Sequence, residues 1–420
     1  MEVNFHSYKE ISYENKTVLI RLDINSPLDP KTKKITNSTR LERSVPTLKY
    51  ILDQGAKVAI IAHQGDTLDY HNLYPLAEHA EILSELLGIK VDYIDDVCGP
   101  AAIEAVKALQ SKEAVILGNL RYLTEEVSVF ETVVSLTPQQ MTKTWLVRQL
   151  APLFDIYINE AFSAAHRYCP SMAAFQELLP SVAGELFFQE YSVLSSVLHS
   201  AKKPNVFILG GAKISDAFGM MEQVLANGTA DKILTTGVVG TIMLMANGIE
   251  PGKQYYDFLK DKDFLQFIDP AKKYLAKYYG QIEVPLDVAY VKDNKRIEIS
   301  VENLPIDDVS FLDIGQKTLE HYDAFIKTAG TLFCNGPAGV YEDKIFAVGT
   351  RSIFEKVAAA DGFSVLGGGD SVQAASQYIN LEDIDYVCTA GGAMVRFMTG
   401  EPLALIKAMQ NNSDKFKNIL

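Results

Sequence analysis

Residues 331–343 read TLFCNGPAGVYED, residues 363–375 FSVLGGGDSVQAA and residues 386–398 YVCTAGGAMVRFM. Each is an apolar run followed by a glycine-rich turn, and after the second and third turns a helical pattern starts at once. Apolar runs bounded in this way are the mark of strands buried on both faces. A strand that passes through paired glycines into a helix aims backbone N–H groups and the positive end of a helix dipole at one place. Three such turns in one stretch predict a shared anion site, most simply for the phosphates of a nucleotide.

The same alternation runs through the whole chain. Strands are predicted at 18–23, 57–62, 90–94, 114–117, 156–158, 205–209, 232–235 and 309–313, and a hairpin arm at 292–299. Helical spacing recurs at 39–55, 76–87, 101–109, 139–151 and 240–246, and after Lys213 through Phe218, Met221 and Val224. Strand and helix in alternation imply a parallel sheet covered on both faces. Residues 181–200 carry Phe187, Tyr191, Leu194 and Leu198 on one stripe and predict a single helix spanning roughly 30 Å. The expected fold class is therefore α/β. Two domains, each a doubly wound and mostly parallel sheet flanked by helices, are joined by this long helix with a cleft between. The boundaries expected are 1–180 for an acid-binding domain, 181–200 for the interdomain helix and 201–395 for a nucleotide-binding domain. Residues 396–420 form a tail that packs back toward the N-terminal domain.

Composition narrows the function classes. At 420 residues the chain exceeds what one core usually spans. A net charge of −14 argues against a nucleic-acid partner. The four cysteines, Cys98, Cys169, Cys334 and Cys388, are far apart, which fits a reducing compartment and neither a disulfide framework nor a zinc site. No stretch approaches the ~18 uninterrupted apolar residues of a membrane span, so no membrane partner and a cytoplasmic location are expected.

Polar residues cluster at the predicted strand ends of the first half: Arg21, Asp23 and Asn25, then His63, Arg121, Asn159, and His166 with Arg167. Ligands of open α/β sheets bind outside the carboxyl ends of the strands. Any one of these arginines alone is better explained as a solvated residue or an ion-pair partner. Together, on one edge of an acidic protein, they favour a small, doubly anionic ligand such as a phosphorylated acid. In the second half, Gly367, Gly368, Gly369, Asp370 and Ser371 allow close backbone approach. Asp370 is placed either to cap the following helix or to hold a divalent cation bridging phosphates. Gly210, Gly211, Ala212 and Lys213 add an ammonium at a helix start, without the spacing of a Walker A loop or a dinucleotide fingerprint. Glu342 is placed to accept bonds from a ribose, and a solvent-facing role accounts for it equally well. His63 and His166 have no carboxylate at triad spacing. A cationic edge and a phosphate cradle suit phosphoryl transfer, which needs cations and N–H donors rather than a nucleophilic side chain. Two domains closing on the ligands would exclude water.

The stretches VLIRLDINSPLD, TRLERSVPTL, AHQG, NLRY, YINEAFSAAHR, LGGAKISD, VPLDV, DIGQKT, NGPAGVYE, FAVGT, GGGDSVQAA and TAGGA resemble the phosphoglycerate kinase family, in the family's order and over nearly the whole chain. AHQG and the segment after GGAK are most similar to the archaeal-type branch. The resemblance implies reversible phosphoryl transfer between 1,3-bisphosphoglycerate with ADP and 3-phosphoglycerate with ATP, with Mg2+ as cofactor. It implies a catalytic set of Arg40, Lys213, Gly368 and Gly391. Acid binding is implied for Asp23, Asn25, Arg40, His63, Arg121 and Arg167. Nucleotide binding is implied for Gly210, Gly211, Lys213, Asn335, Pro337, Glu342 and Gly367 through Ser371, with Asp370 at the metal and Gly392 in the final turn. A monomer is expected, with a dimer as the alternative.

Some positions depart from the family pattern. Asp66 stands where an arginine that grips the substrate phosphate is usual. It would repel that phosphate by roughly 4 kcal/mol at about 4 Å and an effective dielectric of about 20. Arg43 is a candidate compensator, unless Asp66 turns outward. Gly118, Glu160, Ala217 and Ala390 also replace more usual residues. Two alternatives therefore stand beside the leading reading. One is a related kinase whose acid site accepts a different acid; the other is a non-catalytic nucleotide-binding homologue.

Overall fold

A computed structural model describes residues 5–65 and 73–418. The chain forms two compact units. One runs to Ser192 and takes in the C-terminal segment from Pro402, and the other is Val193–Glu401.

In the first unit, β1 (Thr17–Arg21), β2 (Lys57–Ile61), β3 (Val91–Tyr93), β4 (Ala114–Ile116), β5 (Ile156–Asn159) and β6 (Ser181–Ala183) form one sheet in the order β3-β4-β2-β1-β5-β6. All pairings are parallel. The strands are apolar throughout because both faces are covered. Val18 and Ile20 of β1 pack with Leu41, Leu48 and Ile51 of the helix Thr39–Asp53. Leu19 points the other way, into a cluster with Val147 and Leu150. The expected helix at 76–87 forms as Ala77–Leu87, and Gly88 in the left-handed region ends it.

Two expected helices are broken. Residues 139–151 divide into Pro138–Met141 and Trp145–Leu150. The break is set by Glu125, whose carboxylate accepts the N–H groups of Trp145 at 3.2 Å and Leu146 at 2.6 Å and so starts a new helix there. Residues 181–200 are not one helix either. Ser181, Val182 and Ala183 pair with Tyr157, Ile158 and Asn159 as the sixth strand. Only Glu185–His199 is helical, 15 residues and about 22 Å. The junction is Gly184, where a Cβ would fall 1.5 Å from Oε2 of the buried Glu160. The chain passes from the first unit to the second inside this helix.

Glu160 makes that junction sensitive to pH. Its Oε1 accepts from Thr47 Oγ1 at 2.8 Å and from the Leu186 N–H at 3.1 Å, while Oε2 is buried without a partner. Burial pushes its carboxyl up to about 8, despite those two bonds, with the charge of Glu185 adding to the rise. The folded state therefore holds a proton that the unfolded chain releases above the ordinary glutamate range. Stability on this account is full below about pH 4.5 and is lost as pH rises toward 8, by up to about 1.4 kcal/mol per pH unit. Glu160→Gln keeps both accepted bonds and removes the titration. Urea unfolding at pH 5 and pH 8 should show the variant gaining on the parent at the higher pH. Parallel pH profiles would refute the assignment.

The helix Ala404–Lys415 completes the first unit. Asn412, 1% exposed, accepts the Ser181 N–H at 2.9 Å and donates to the carbonyls of Gln176 at 2.5 Å and Leu179 at 2.8 Å. Asn412→Ala would take the partner from the Ser181 N–H and the Gln176 carbonyl, while the Leu179 carbonyl keeps the Ser181 hydroxyl at 2.8 Å. A loss of about 2–4 kcal/mol is expected in chemical denaturation of this unit. A loss below about 0.5 kcal/mol would mean that water replaces the amide.

In the second unit, β7 (Asn205–Leu209), β8 (Lys232–Thr235), β9 (Ile282–Glu283), β13 (Thr331–Asn335), β14 (Phe363–Gly367) and β15 (Tyr386–Val387) form a parallel sheet in the order β15-β14-β13-β7-β8-β9. Between β9 and β13 in sequence, β10 (Asp287–Lys292), β11 (Lys295–Ser300) and β12 (Asp313–Ile314) make a separate antiparallel sheet. The expected hairpin arm is β11, and its turn residues Asp293 and Asn294 both have positive φ, as a tight hairpin requires. The strand expected at 309–313 is only Asp313–Ile314. It pairs with β10 rather than entering the parallel sheet. Among the described residues, no helix is long and apolar enough to cross a membrane.

Candidate active site

Register decides where the glycine turns of the second unit meet. Asn335 is paired with Leu209 on one side and Gly367 on the other, and Leu209 is paired with Thr235. The strands β7, β13 and β14 therefore end at one level, and their turns emerge side by side. The chain leaves β7 for β8 on one flank and returns to β13 on the other, so this edge is a topological switch point.

The turns are tied to one another by backbone. The Gly210 N–H donates to Asn335 O at 2.9 Å and the Gly211 N–H to Pro337 O at 2.8 Å. Ser371 Oγ accepts the Gly336 N–H at 2.6 Å. Gly336 has φ +95°, and a Cβ there would lie 2.1 Å from the Gly210 carbonyl oxygen. Gly368 has φ +85°, with Asn335 Oδ1 2.4 Å from where its Cβ would be. Side chains at these two positions would push the turns apart.

Lys213 stands at the start of the helix Ile214–Ala226, and its Nζ lies 3.0 Å from Asp370 Oδ2. Both side chains are more than half exposed, so the pair adds little to stability and costs little to part. A cavity of 180 Å³ lies over Gly210, Lys213, Asn335, Gly368, Gly369, Asp370, Ser371, Gly391 and Gly392. A second, of 340 Å³, shares Gly211, Ala212, Pro337 and Asp370 with it and is lined further by Val238, Thr241, Tyr255, Phe311, Leu312, Val340 and Glu342. The two make one trough, with glycines and a lysine at one end and apolar side chains at the other. All the residues expected to bind nucleotide lie along it except Gly367, which ends β14 beneath the cradle. The apolar end has no sequence signature, because its residues come from separate segments and are unremarkable one by one.

The expected acid-binding residues of the first unit also gather at strand ends. Arg21 is paired with Ile61 and with Asn159, so Asp23 and His63 leave the sheet at one height, level with Ala161. Asp23 is buried and accepts from Arg40 Nη1 and Ser163 Oγ through the same oxygen. Burial alone would raise its carboxyl. The Arg40 guanidinium, helped by the Ser163 hydroxyl and the Arg21 charge, outweighs burial and holds it at about 2. His63 is buried, and its Nδ1 lies 2.9 Å from Arg21 Nη2, which donates. Burial and the Arg21 charge push its pKa well below the ordinary histidine value, so the ring is neutral with its proton on Nε2.

The His63 loop is pinned by amides. Asn25 Oδ1 accepts the Gly65 N–H at 3.0 Å, and Arg121 Nη1 donates to the Gly65 carbonyl at 2.7 Å. Asn119, fully buried, donates to Gln64 O at 2.8 Å, and Gln64 in turn bonds both backbone groups of Ser26 at 2.9 Å. Arg167 lies in the segment that follows β5 and is bound to Glu131. His166 beside it is half-buried. Ser163, Gln64, Asn119 and Glu131 are participants that sequence reasoning missed. Ser163, Gln64 and Asn119 carried a signal, as polar residues inside the quoted YINEAFSAAHR, AHQG and NLRY stretches, and Glu131 carried none. Asp66 lies outside the described residues. Among the described residues, no group of three His, Cys, Asp or Glu could hold a metal.

The family model for phosphoglycerate kinase matches residues 8–401. The chain is 39% identical to the phosphoglycerate kinase of Methanobacterium bryantii, over 97% of this chain and 98% of that one. It is 38% identical to that of Pyrococcus furiosus, over 98% and 99%. Among solved structures, the phosphoglycerate kinase of Pyrococcus horikoshii superposes with a TM-score of 0.86 at 36% identity, covering 98% of this chain and all of that one. That of Coxiella burnetii superposes with a TM-score of 0.82 at 29% identity, covering 97% and 99%.

Proposed function

The chain belongs to the phosphoglycerate kinase family and is a phosphotransferase with a carboxyl group as acceptor, and from that premise we propose which of its residues do the work. The reaction is reversible phosphoryl transfer between the 3-phosphoglycerate/ATP pair and the 1,3-bisphosphoglycerate/ADP pair. The observation that carries the assignment is the two-ended trough. A purine and ribose suit the apolar end near Tyr255, Phe311 and Glu342, and the phosphates suit the glycine turns and Lys213. Asp370 and Asp216 are the two carboxylates that line that cradle. This fits Mg2+, which takes one or two protein carboxylates and completes its shell with phosphate oxygens and water. When bound, the ion supplies charge neutralisation across the phosphates.

On the acid side, Arg121 and Arg167 bind the substrate phosphate and His63 donates from Nε2. Asp23, ionised at any working pH, accepts from the acid's hydroxyl, with Asn25 beside it. Arg40, bound to Asp23, is the cation assigned to the transferring group. Lys213 and the backbone amides at Gly368 and Gly391 stabilise the charge that spreads over the phosphoryl oxygens in transit. No side chain forms a covalent intermediate in this scheme, and none is placed as a nucleophile.

The test is ATP-dependent turnover on 3-phosphoglycerate beside a panel of hydroxy- and phospho-acids. Turnover on 3-phosphoglycerate in excess of every other acid is expected. Turnover on a different acid alone would reassign the acceptor, and ADP binding with no transfer to any acid would leave only a nucleotide-binding role.

A further inference from the structure

Arg167 already holds an anion that belongs to the protein. Its Nε donates to Glu131 Oε1 at 2.6 Å, and its Nη2 donates to the same oxygen and to Ser128 Oγ at 3.4 Å. The other carboxylate oxygen accepts the Tyr168 N–H at 3.1 Å. The two side chains are 16% and 13% exposed, so the pair is sheltered from screening. Burial works against the charge on Arg167, yet Glu131 prevails and raises its pKa above the ordinary value.

The segment that presents Glu131 is a single π-helical turn, Phe130–Val134, in which no residue is buried. Val133 is 76% exposed. Little apolar contact holds the turn, so its carboxylate bonds to Arg167 and Tyr168 are a principal tie to the rest of the unit. Turns of this kind are frequent at functional sites.

We propose that Glu131 is a built-in competitor for the substrate anion at Arg167, setting the affinity for the acid. This rests on the assignment of Arg167 to the acid's phosphate. A phosphate gripped bidentately needs one edge of the guanidinium, and the Nε–Nη2 edge is occupied by Glu131. A phosphate on the remaining Nη1–Nη2 edge shares Nη2 with the Glu131 carboxylate, and the two anions repel, so the substrate is bound against the Glu131 contact. Each molecule of acid bound therefore weakens one charge-assisted contact as it makes another. A purely structural Glu131, which only aims Arg167, would have the opposite effect when neutralised.

Glu131→Gln separates the two, because its amide oxygen can still accept the Tyr168 N–H while the negative charge is gone. Calorimetric titration of the full chain with 3-phosphoglycerate, without nucleotide, should show the dissociation constant falling by about tenfold in this variant. The KM for ATP should not move. Equal or weaker binding of the acid would overturn the proposal and make Glu131 a positioning residue. Arg167→Ala distinguishes a failure of the underlying assignment, since acid affinity unchanged by that variant would remove Arg167 from the acid site altogether. Combining the two substitutions should abolish the gain from Glu131→Gln. A gain that persists without Arg167 would also overturn the competitor role.

Discussion

Lys213→Ala is expected to lower kcat by about a thousandfold while changing the affinity for ATP by less than about threefold. The asymmetry follows from the geometry. In the resting chain the ammonium is exposed and its nearest partner is Asp370 at 3.0 Å. The phosphates of a bound nucleotide meet the N–H groups of several glycine turns, so losing one of many contacts costs little binding. In transit, charge moves onto the phosphoryl oxygens, and a cation at the helix start then gains interaction that the ground state lacks. A thousandfold change corresponds to about 4 kcal/mol. Single-turnover rates at saturating 3-phosphoglycerate, set beside equilibrium ATP titrations, measure the two quantities separately. Equal losses in both would contradict a transition-state role.

Arg40→Ala should lower kcat/KM by about a hundredfold to a thousandfold and also move the acid side of the pH profile. Asp23 is buried, and its carboxyl is held at about 2 chiefly because the Arg40 charge outweighs that burial. Without the guanidinium, burial dominates and the carboxyl titrates at a higher pH. Activity that needs the Asp23 carboxylate is then lost at a pH where the parent is still active. Arg40→Lys restores a positive charge but not the forked donor, so it should recover the pH limb more fully than the rate. A pH profile unchanged in Arg40→Ala would mean that Asp23 is not the group whose ionisation the reaction needs.

The nucleotide cradle is legible in the sequence because each of its turns is local. Gly336 and Gly368 sit directly after apolar strands, and the chemistry of a left-handed turn leaves glycine as the natural residue. The acid edge is legible in outline for the same reason, since Asp23, His63 and Arg121 each follow a strand or its first turn. What stays hidden is what the tertiary fold assembles. Tyr255, Phe311 and Val340 line one pocket from three distant segments. Glu131 reaches Arg167 across 36 positions of sequence. The strand β6 reads as helix because three residues are too few to show a period of two, and the partner that makes them a strand is β5. The break at Thr144 is equally invisible, since the Glu125 carboxylate that starts the next helix comes from outside it.

The clasp made by Asn412 has a consequence for the order of events at the ribosome. The last helix belongs to the unit that emerges first, and its contacts with Gln176, Leu179 and Ser181 cannot form until all of Val193–Glu401 has been synthesised. At translation rates of roughly 5–20 residues per second, that interval is on the order of 10 s or more. Through it, the seat of the final helix stays uncovered, with the Ser181 N–H and the Gln176 carbonyl waiting for one amide. The first half thus waits on the second for its last helix, while the second half, contiguous in sequence, is free to fold before the first is finished.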